Sequence, residues 1–177
     1  MIGVLVSGQG TNLQALVDAG LQIAAVASNR AGAPALARAE AAGIPSRVFE
    51  LDDYPDRDVR DRELADWLQL RGVDLVVLAG YMHLLTASFL ERFPDRIVNV
   101  HPSLLPAFPG ARAIDDALEA GVETTGVTVH YVDDGLDTGD VIRQEPVAVE
   151  PRDTLVQRIH AVEHRILPEV VRQLCER

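Results

Sequence analysis

The chain has no lysine. Every one of its 16 basic residues is an arginine, set against 27 acidic ones, for a net charge of −11. Nucleic-acid binders draw most of their affinity from cations on phosphate, so an acidic total speaks against that class. The missing lysine also rules out the Walker A phosphate loop. A single cysteine, Cys175, leaves no internal disulfide and fits a reducing, cytoplasmic setting. No apolar run approaches the ~20 residues that a membrane span needs. The opening MIGVLV carries no basic segment or small-residue cleavage site, so no signal peptide is expected. Repeats, low-complexity tracts and Ser/Gly-rich linkers are absent too. One domain over 1–177 is the expectation.

What is present is a βα alternation. Residues 2–6 (IGVLV), 22–28 (QIAAVAS), 46–51 (SRVFEL), 74–80 (DLVVLAG) and 96–100 (RIVNV) read as buried strands. Between them lie helical stretches: LQALVDAG, ending near Gly20, then an Ala-rich segment over 33–42, then RDRELADWLQLRG with Gly72 as its stop, and a short helix before 96. Continuous β-branched runs alternating with helices indicate a Rossmann-like α/β fold: a mainly parallel sheet with helices on both faces. After Thr125 the pattern changes to TGVTVHYV and DVIRQEPVAV, which predict an antiparallel extension. A long helix over 153–175 comes last, with Asp153 as its predicted cap.

Ligands in open α/β sheets bind beyond the carboxyl ends of the strands. Four distinctive segments map there: GQGTN after strand one, GYM after the fourth, NVHPS after the fifth and GLDTG after the sixth. GQGTN (8–12) opens a helix, and backbone N–H groups at such a turn can hold an anion. It can equally be a tight turn. Leu13 stands where the dinucleotide fingerprint GxGxxG needs its third glycine. In NVHPS, Asn99 and His101 project to one side of an extended segment, an amide donor and an imidazole. Such a pair can stabilise an oxyanion and move protons, or simply close a polar strand end. The prolines at 102, 106 and 109 stiffen the loop beyond them. Asp137 in GLDTG can orient an imidazole or serve the turn alone. HAVEH places His160 and His164 one helical turn apart with Glu163 between, formally an H-x-x-E-H zinc pattern, without a convincing third ligand downstream. His130 alternates within a strand and reads as a buried structural histidine.

These segments together resemble the phosphoribosylglycinamide formyltransferase family. VSGQGTNLQAL, VVLAGYMHLL, NVHPSLLPAFPG, TGVTVHYVDDGLDTG and EHRILP occur in that family's order and spacing. The resemblance implies transfer of a formyl group from 10-formyltetrahydrofolate to the amino group of glycinamide ribonucleotide, a step of purine biosynthesis, without a metal. It implies that Asn99, His101 and Asp137 are catalytic. It implies that Gly10, Thr11 and Asn12 bind the ribonucleotide phosphate and that His160 and Glu163 help hold that substrate. It assigns Arg57, Met82, His83, Leu84 and Leu85 to the folate, with Asp133, Asp134, Gly135 and Leu136 as a second wall beside Asn99 and Asp137. Three positions depart from the family pattern: His83 where arginine is frequent, His160 where glutamine is usual, and Ile114 where histidine is frequent. The implied partners are small molecules, with no nucleic acid or membrane, in a cytoplasmic protein that could be a homodimer. The rival readings are another formyl-folate enzyme, such as a formyltetrahydrofolate hydrolase, a nucleotide-binding module without catalysis, and a zinc peptidase. A tRNA-directed formyltransferase would need a surface that so acidic a chain does not offer.

Overall fold

The computed structural model describes residues 1–176. Seven strands hydrogen-bond in the order β3-β2-β1-β4-β5-β6-β7. They are β1 (Ile2–Val6), β2 (Ile23–Ser28), β3 (Ser46–Val48), β4 (Leu75–Leu78), β5 (Ile97–His101), β6 (Thr124–Tyr131) and β7 (Val141–Ala148). The chain divides into two compact units, Met1–Val98 and Asn99–Arg177.

In the first unit β1 lies between β2 and β4, parallel to both, and β3 extends the sheet in parallel beyond β2. Every residue of β1 is buried, as expected for a parallel strand covered on both faces. The helices are α1 (Thr11–Asp18), α2 (Ala35–Ala41), α3 (Arg57–Gln69) and α4 (Ala87–Leu90). The third strand is shorter than the sequence pattern predicts. The chain leaves it after Val48, buries Phe49 against Trp67, and turns through a 3-10 segment at Leu51–Asp53. Helix α3 starts three residues before the predicted 60, because the Asp56 carboxylate accepts the Val59 N–H at 2.8 Å and caps it. Gly72 does end it: at φ 72° it donates to Gln69, while Val73 donates back to Leu68.

In the second unit β6 and β7 pair antiparallel, as predicted. Their register shifts between Val129 and His130, so His130 sits at an irregularity of the kind that re-aims a side chain. Helices α5 (Ala113–Ala120) and α6 (Leu155–Cys175) complete the unit. Helix α6 packs on the hairpin, and its buried Leu155, Ile159, Ile166, Val170 and Leu174 are spaced four or seven apart on one face. Asp153 does not cap it. Asp153 lies inside a 3-10 turn at Arg152–Thr154, and Thr154 takes the cap position without a side-chain bond. The adjoining carbonyls of Ala148, Val149 and Pro151 are gathered instead by the Arg158 guanidinium.

Candidate active site

Asn99 and His101 lie two apart on β5, and the second unit brings Asp137 to both. The His101 Nε2–H donates to the Phe108 carbonyl at 2.8 Å. A carbonyl only accepts, so that nitrogen carries a proton and Nδ1 is the position that gains or loses one. Nδ1 lies 3.4 Å from Asp137 Oδ2. The same oxygen accepts the Gly110 N–H at 2.8 Å. Asp137 is held at φ 54°, a left-handed backbone that aspartate tolerates better than most residues. Its other oxygen lies 3.5 Å from Asn99 Nδ2. One carboxylate therefore touches both residues of the NVH pair.

His130 is a buried histidine with its ring satisfied, as the strand alternation predicts, and it also borders this group. It is 2% exposed. Its Nδ1–H donates to the Tyr131 carbonyl at 2.7 Å, which leaves Nε2 as an acceptor in the neutral ring. Asn99 Nδ2 donates to that nitrogen at 3.3 Å. Asp137 Oδ1 lies 3.6 Å away. Burial, the largest cause, holds the His130 pKa below its ordinary 6.5, partly offset by the Tyr131 carbonyl and Asp137. Alternation within a strand could mark His130 as buried. It could not show that Asn99 and Asp137 would lie beside the ring. A histidine with a depressed folded pKa binds fewer protons folded than unfolded. Its contribution to stability is therefore present above about pH 6.5 and lost as pH falls through the folded value. Thermal midpoints measured between pH 7.5 and 5 should fall on acidification, and His130→Asn should flatten that slope. An unchanged slope would remove His130 from the account.

The loop after His101 is stiffened by more than its prolines. Thr128 Oγ1, fully buried, donates to the Ser103 carbonyl at 2.7 Å and accepts from the Leu105 N–H at 3.1 Å. Gln144 Nε2 reaches both the Leu105 carbonyl and Thr128. Phe108, whose carbonyl fixes His101, has φ 53°. In the GLDTG loop Asp133 accepts from the Gly135 N–H and the Thr138 hydroxyl, so its carboxylate shapes the turn. Asp134 and Leu136 are exposed. On α6, Glu163 is buried, and the His160 and His164 rings stack with centroids 6.0 Å apart. Among the described residues no group of three His, Cys, Asp or Glu side chains is placed to hold a metal ion.

In the first unit Gly10 sits at φ 73° immediately before α1. A Cβ added there would lie 2.5 Å from the Ala35 Cβ. Helix α2 holds the turn: Ala35 donates to the Gly8 carbonyl, and Arg38 Nε to the Gln9 carbonyl at 2.8 Å. No side chain caps α1, and a helix N-terminus is the kind of place that suits an anion. Thr11 is half-buried and Asn12 buried. Gly10→Ala meets both a strained φ and a backbone-proximal clash. We expect it to cost about 1–3 kcal/mol of stability and to weaken binding of a phosphate-bearing ligand. Calorimetric titration beside thermal unfolding would check both. Wild-type values in both would mean that the turn yields.

The 82–85 segment is also anchored. Ser7 Oγ, at the end of β1, accepts the Met82 N–H at 2.9 Å and donates to Asn29 at 2.6 Å. Met82 and Leu84 are more than half exposed. Arg57 is exposed, one helical turn before a fully buried Arg60 that contacts His83 at 2.7 Å. The Tyr81 hydroxyl is buried without a hydrogen-bond partner among the described residues, and burial pushes its pKa up to about 12, so it stays a neutral donor.

A family model described as formyl transferase matches residues 1–171. The phosphoribosylglycinamide formyltransferase of Bacillus subtilis is 41% identical over 97% of this chain and 92% of its own length. The trifunctional purine biosynthetic protein adenosine-3 of Drosophila pseudoobscura is 46% identical over 96% of this chain, which spans only 13% of that much longer protein. The crystal structure of glycinamide ribonucleotide transformylase 1 from Symbiobacterium toebii superposes with a TM-score of 0.96 at 49% identity, over 99% of this chain and 87% of that one. The chain belongs to the formyl transferase family, and within it to the phosphoribosylglycinamide formyltransferases.

Proposed function

We propose that this chain transfers a formyl group from 10-formyltetrahydrofolate to the amino group of glycinamide ribonucleotide. The observation that carries the reading is the meeting of Asn99, His101 and Asp137 around one carboxylate. It stands on a chain whose full-length relatives bear that activity in their names.

The folate, when bound, supplies an acyl carbonyl attached to a nitrogen that can leave. The chain's residues do the rest. Asn99 Nδ2 donates to the carbonyl oxygen as it gains negative charge. Its present contacts, 3.3 Å to His130 and 3.5 Å to Asp137, are long, so an oxyanion can compete for the same N–H groups. His101 keeps its Nε2 proton on Phe108 and works at Nδ1. Protonated there, it adds a positive charge beside the oxyanion, with Asp137 as its counter-ion. As its nitrogen bonds to the formyl carbon, the attacking amine must lose a proton, which Asp137 accepts directly or through a water. The bond from that carbon to the folate nitrogen then breaks, and the proton passes to the departing nitrogen. Gly10, Thr11 and Asn12 take the ribonucleotide phosphate, with His160 and Glu163 on the rest of that substrate. Arg57, Met82 to Leu85 and Asp133 to Leu136 take the folate.

The partners on this reading are two small molecules, in the cytoplasm, with one formyltransferase domain spanning 1–177 and a homodimer as the assembly to test by sedimentation. No helix among the described residues is long and apolar enough to cross a membrane. The deciding experiment tracks the absorbance of 10-formyltetrahydrofolate mixed with the purified chain, with and without glycinamide ribonucleotide. Formyl loss that requires the ribonucleotide is the expected result. Loss without it would make the chain a hydrolase. Ribonucleotide binding with no loss at all would favour the binding-module reading.

A further inference from the structure

The proposed chemistry leaves one buried cation without a task. Arg60 and Asp61 are each 0% exposed. Asp61 Oδ1 accepts from Arg60 Nε at 2.8 Å and Nη2 at 2.6 Å. Its Oδ2 accepts the Thr86 N–H at 2.8 Å. The remaining arm of the guanidinium, Nη1, reaches His83 Nδ1 at 2.7 Å. A guanidinium has five donors and no acceptor, and it does not deprotonate in proteins. His83 Nδ1 must therefore carry a lone pair. A ring so bound is neutral and has its one proton on Nε2. His83 is only half-buried, and its ring meets Tyr81 edge-on with centroids 6.0 Å apart.

We propose that Arg60 is a positioning residue that holds His83 as a neutral imidazole and makes its Nε2–H a fixed, cation-backed donor toward the folate. The proposal rests on the assignment of residues 82–85 to the folate. It deepens that assignment by naming which nitrogen acts and what commits it. A free imidazole exchanges tautomers and turns over, so it offers a donor at a given point only part of the time. Here the guanidinium removes both freedoms. The arrangement also takes protonation out of play near neutral pH. Burial, Arg60 and Arg57 all hold the His83 pKa below its ordinary value, and Asp61 is the only nearby charge acting the other way. Asp61 is committed to Arg60 through both of its fork donors. The folate contact should then vary less with pH than that of an untethered histidine.

Arg60→Met alone would leave Asp61 buried without its partner, with a folding defect as the result. The informative variant is Arg60→Met combined with Asp61→Asn, which keeps an acceptor for the Thr86 N–H. Two readouts apply. In 15N-histidine NMR, with the His83 signal assigned by its loss in His83→Gln, the wild-type ring should keep the Nε2–H pattern to a lower pH than the ring of the double variant. In the double variant the ring should bind its proton several-fold more tightly. In steady-state kinetics from pH 6.5 to 8.5, the variant's KM for 10-formyltetrahydrofolate should rise several-fold toward high pH, where the untethered neutral ring offers its donor intermittently. The wild-type KM should show no such step, and kcat should change less than KM. Identical ring titrations in the two proteins would overturn the proposal, whatever the kinetics. If His83→Gln leaves the KM for the folate unchanged while the NMR difference stands, the folate assignment of the segment fails and the Arg60–His83 coupling survives.

Discussion

Asp137→Asn should lower kcat by about 10²–10⁴-fold while leaving the affinity for glycinamide ribonucleotide close to that of the wild type. The substitution is a sharp one. Asparagine is, with aspartate, among the few residues at ease in a left-handed backbone such as the φ 54° found here. Its amide oxygen can still accept the Gly110 N–H that now meets Oδ2 at 2.8 Å. The loop should therefore keep its shape. What is lost is the negative charge 3.4 Å from His101 Nδ1 and the ability to take a proton from the attacking amine. Single-turnover rates alongside ribonucleotide titration separate the two cases. Equal losses in rate and affinity would make Asp137 a binding or folding residue and would sink the catalytic assignment.

Asn99→Ala should cost about 10²–10³ in kcat, the usual penalty for removing one oxyanion donor. It also strands the buried His130 Nε2, which accepts from Asn99 at 3.3 Å. A modest loss of stability, about 1 kcal/mol, should accompany the rate effect. If His130 acts through Asn99, then His130→Asn should slow the wild type and add little on top of Asn99→Ala. A double-mutant cycle on kcat measures this. Full additivity would mean that His130 acts elsewhere, and a rate within a few-fold of wild type for Asn99→Ala would remove Asn99 from the chemistry.

Much of this molecule is determined locally. Continuous apolar runs alternating with helical periods were enough to set the parallel sheet, and the change of pattern after Thr125 marked the β6–β7 hairpin. The period of two along β5 put Asn99 and His101 on one side, and Gly10 was legible because a turn into a helix needs its φ. Local pattern failed where a distant atom decided the outcome. The cap of α3 belongs to Asp56, a side chain that the helical period does not include. His130 meets Asn99 across 31 residues of chain, a contact that no period in the sequence marks. The resemblance marks Arg57, and nothing in the sequence marks the contact of Arg60 to His83, 23 residues away in the chain. A charged residue in an amphipathic segment reads as solvated, because burial of a cation is affordable only when partners from elsewhere satisfy every donor. The sequence by itself determined which chemical groups are present and which strands and helices carry them. Tertiary contacts decided which nitrogen of His83 and His101 holds the proton, because a guanidinium from α3 meets one ring and the Phe108 carbonyl the other.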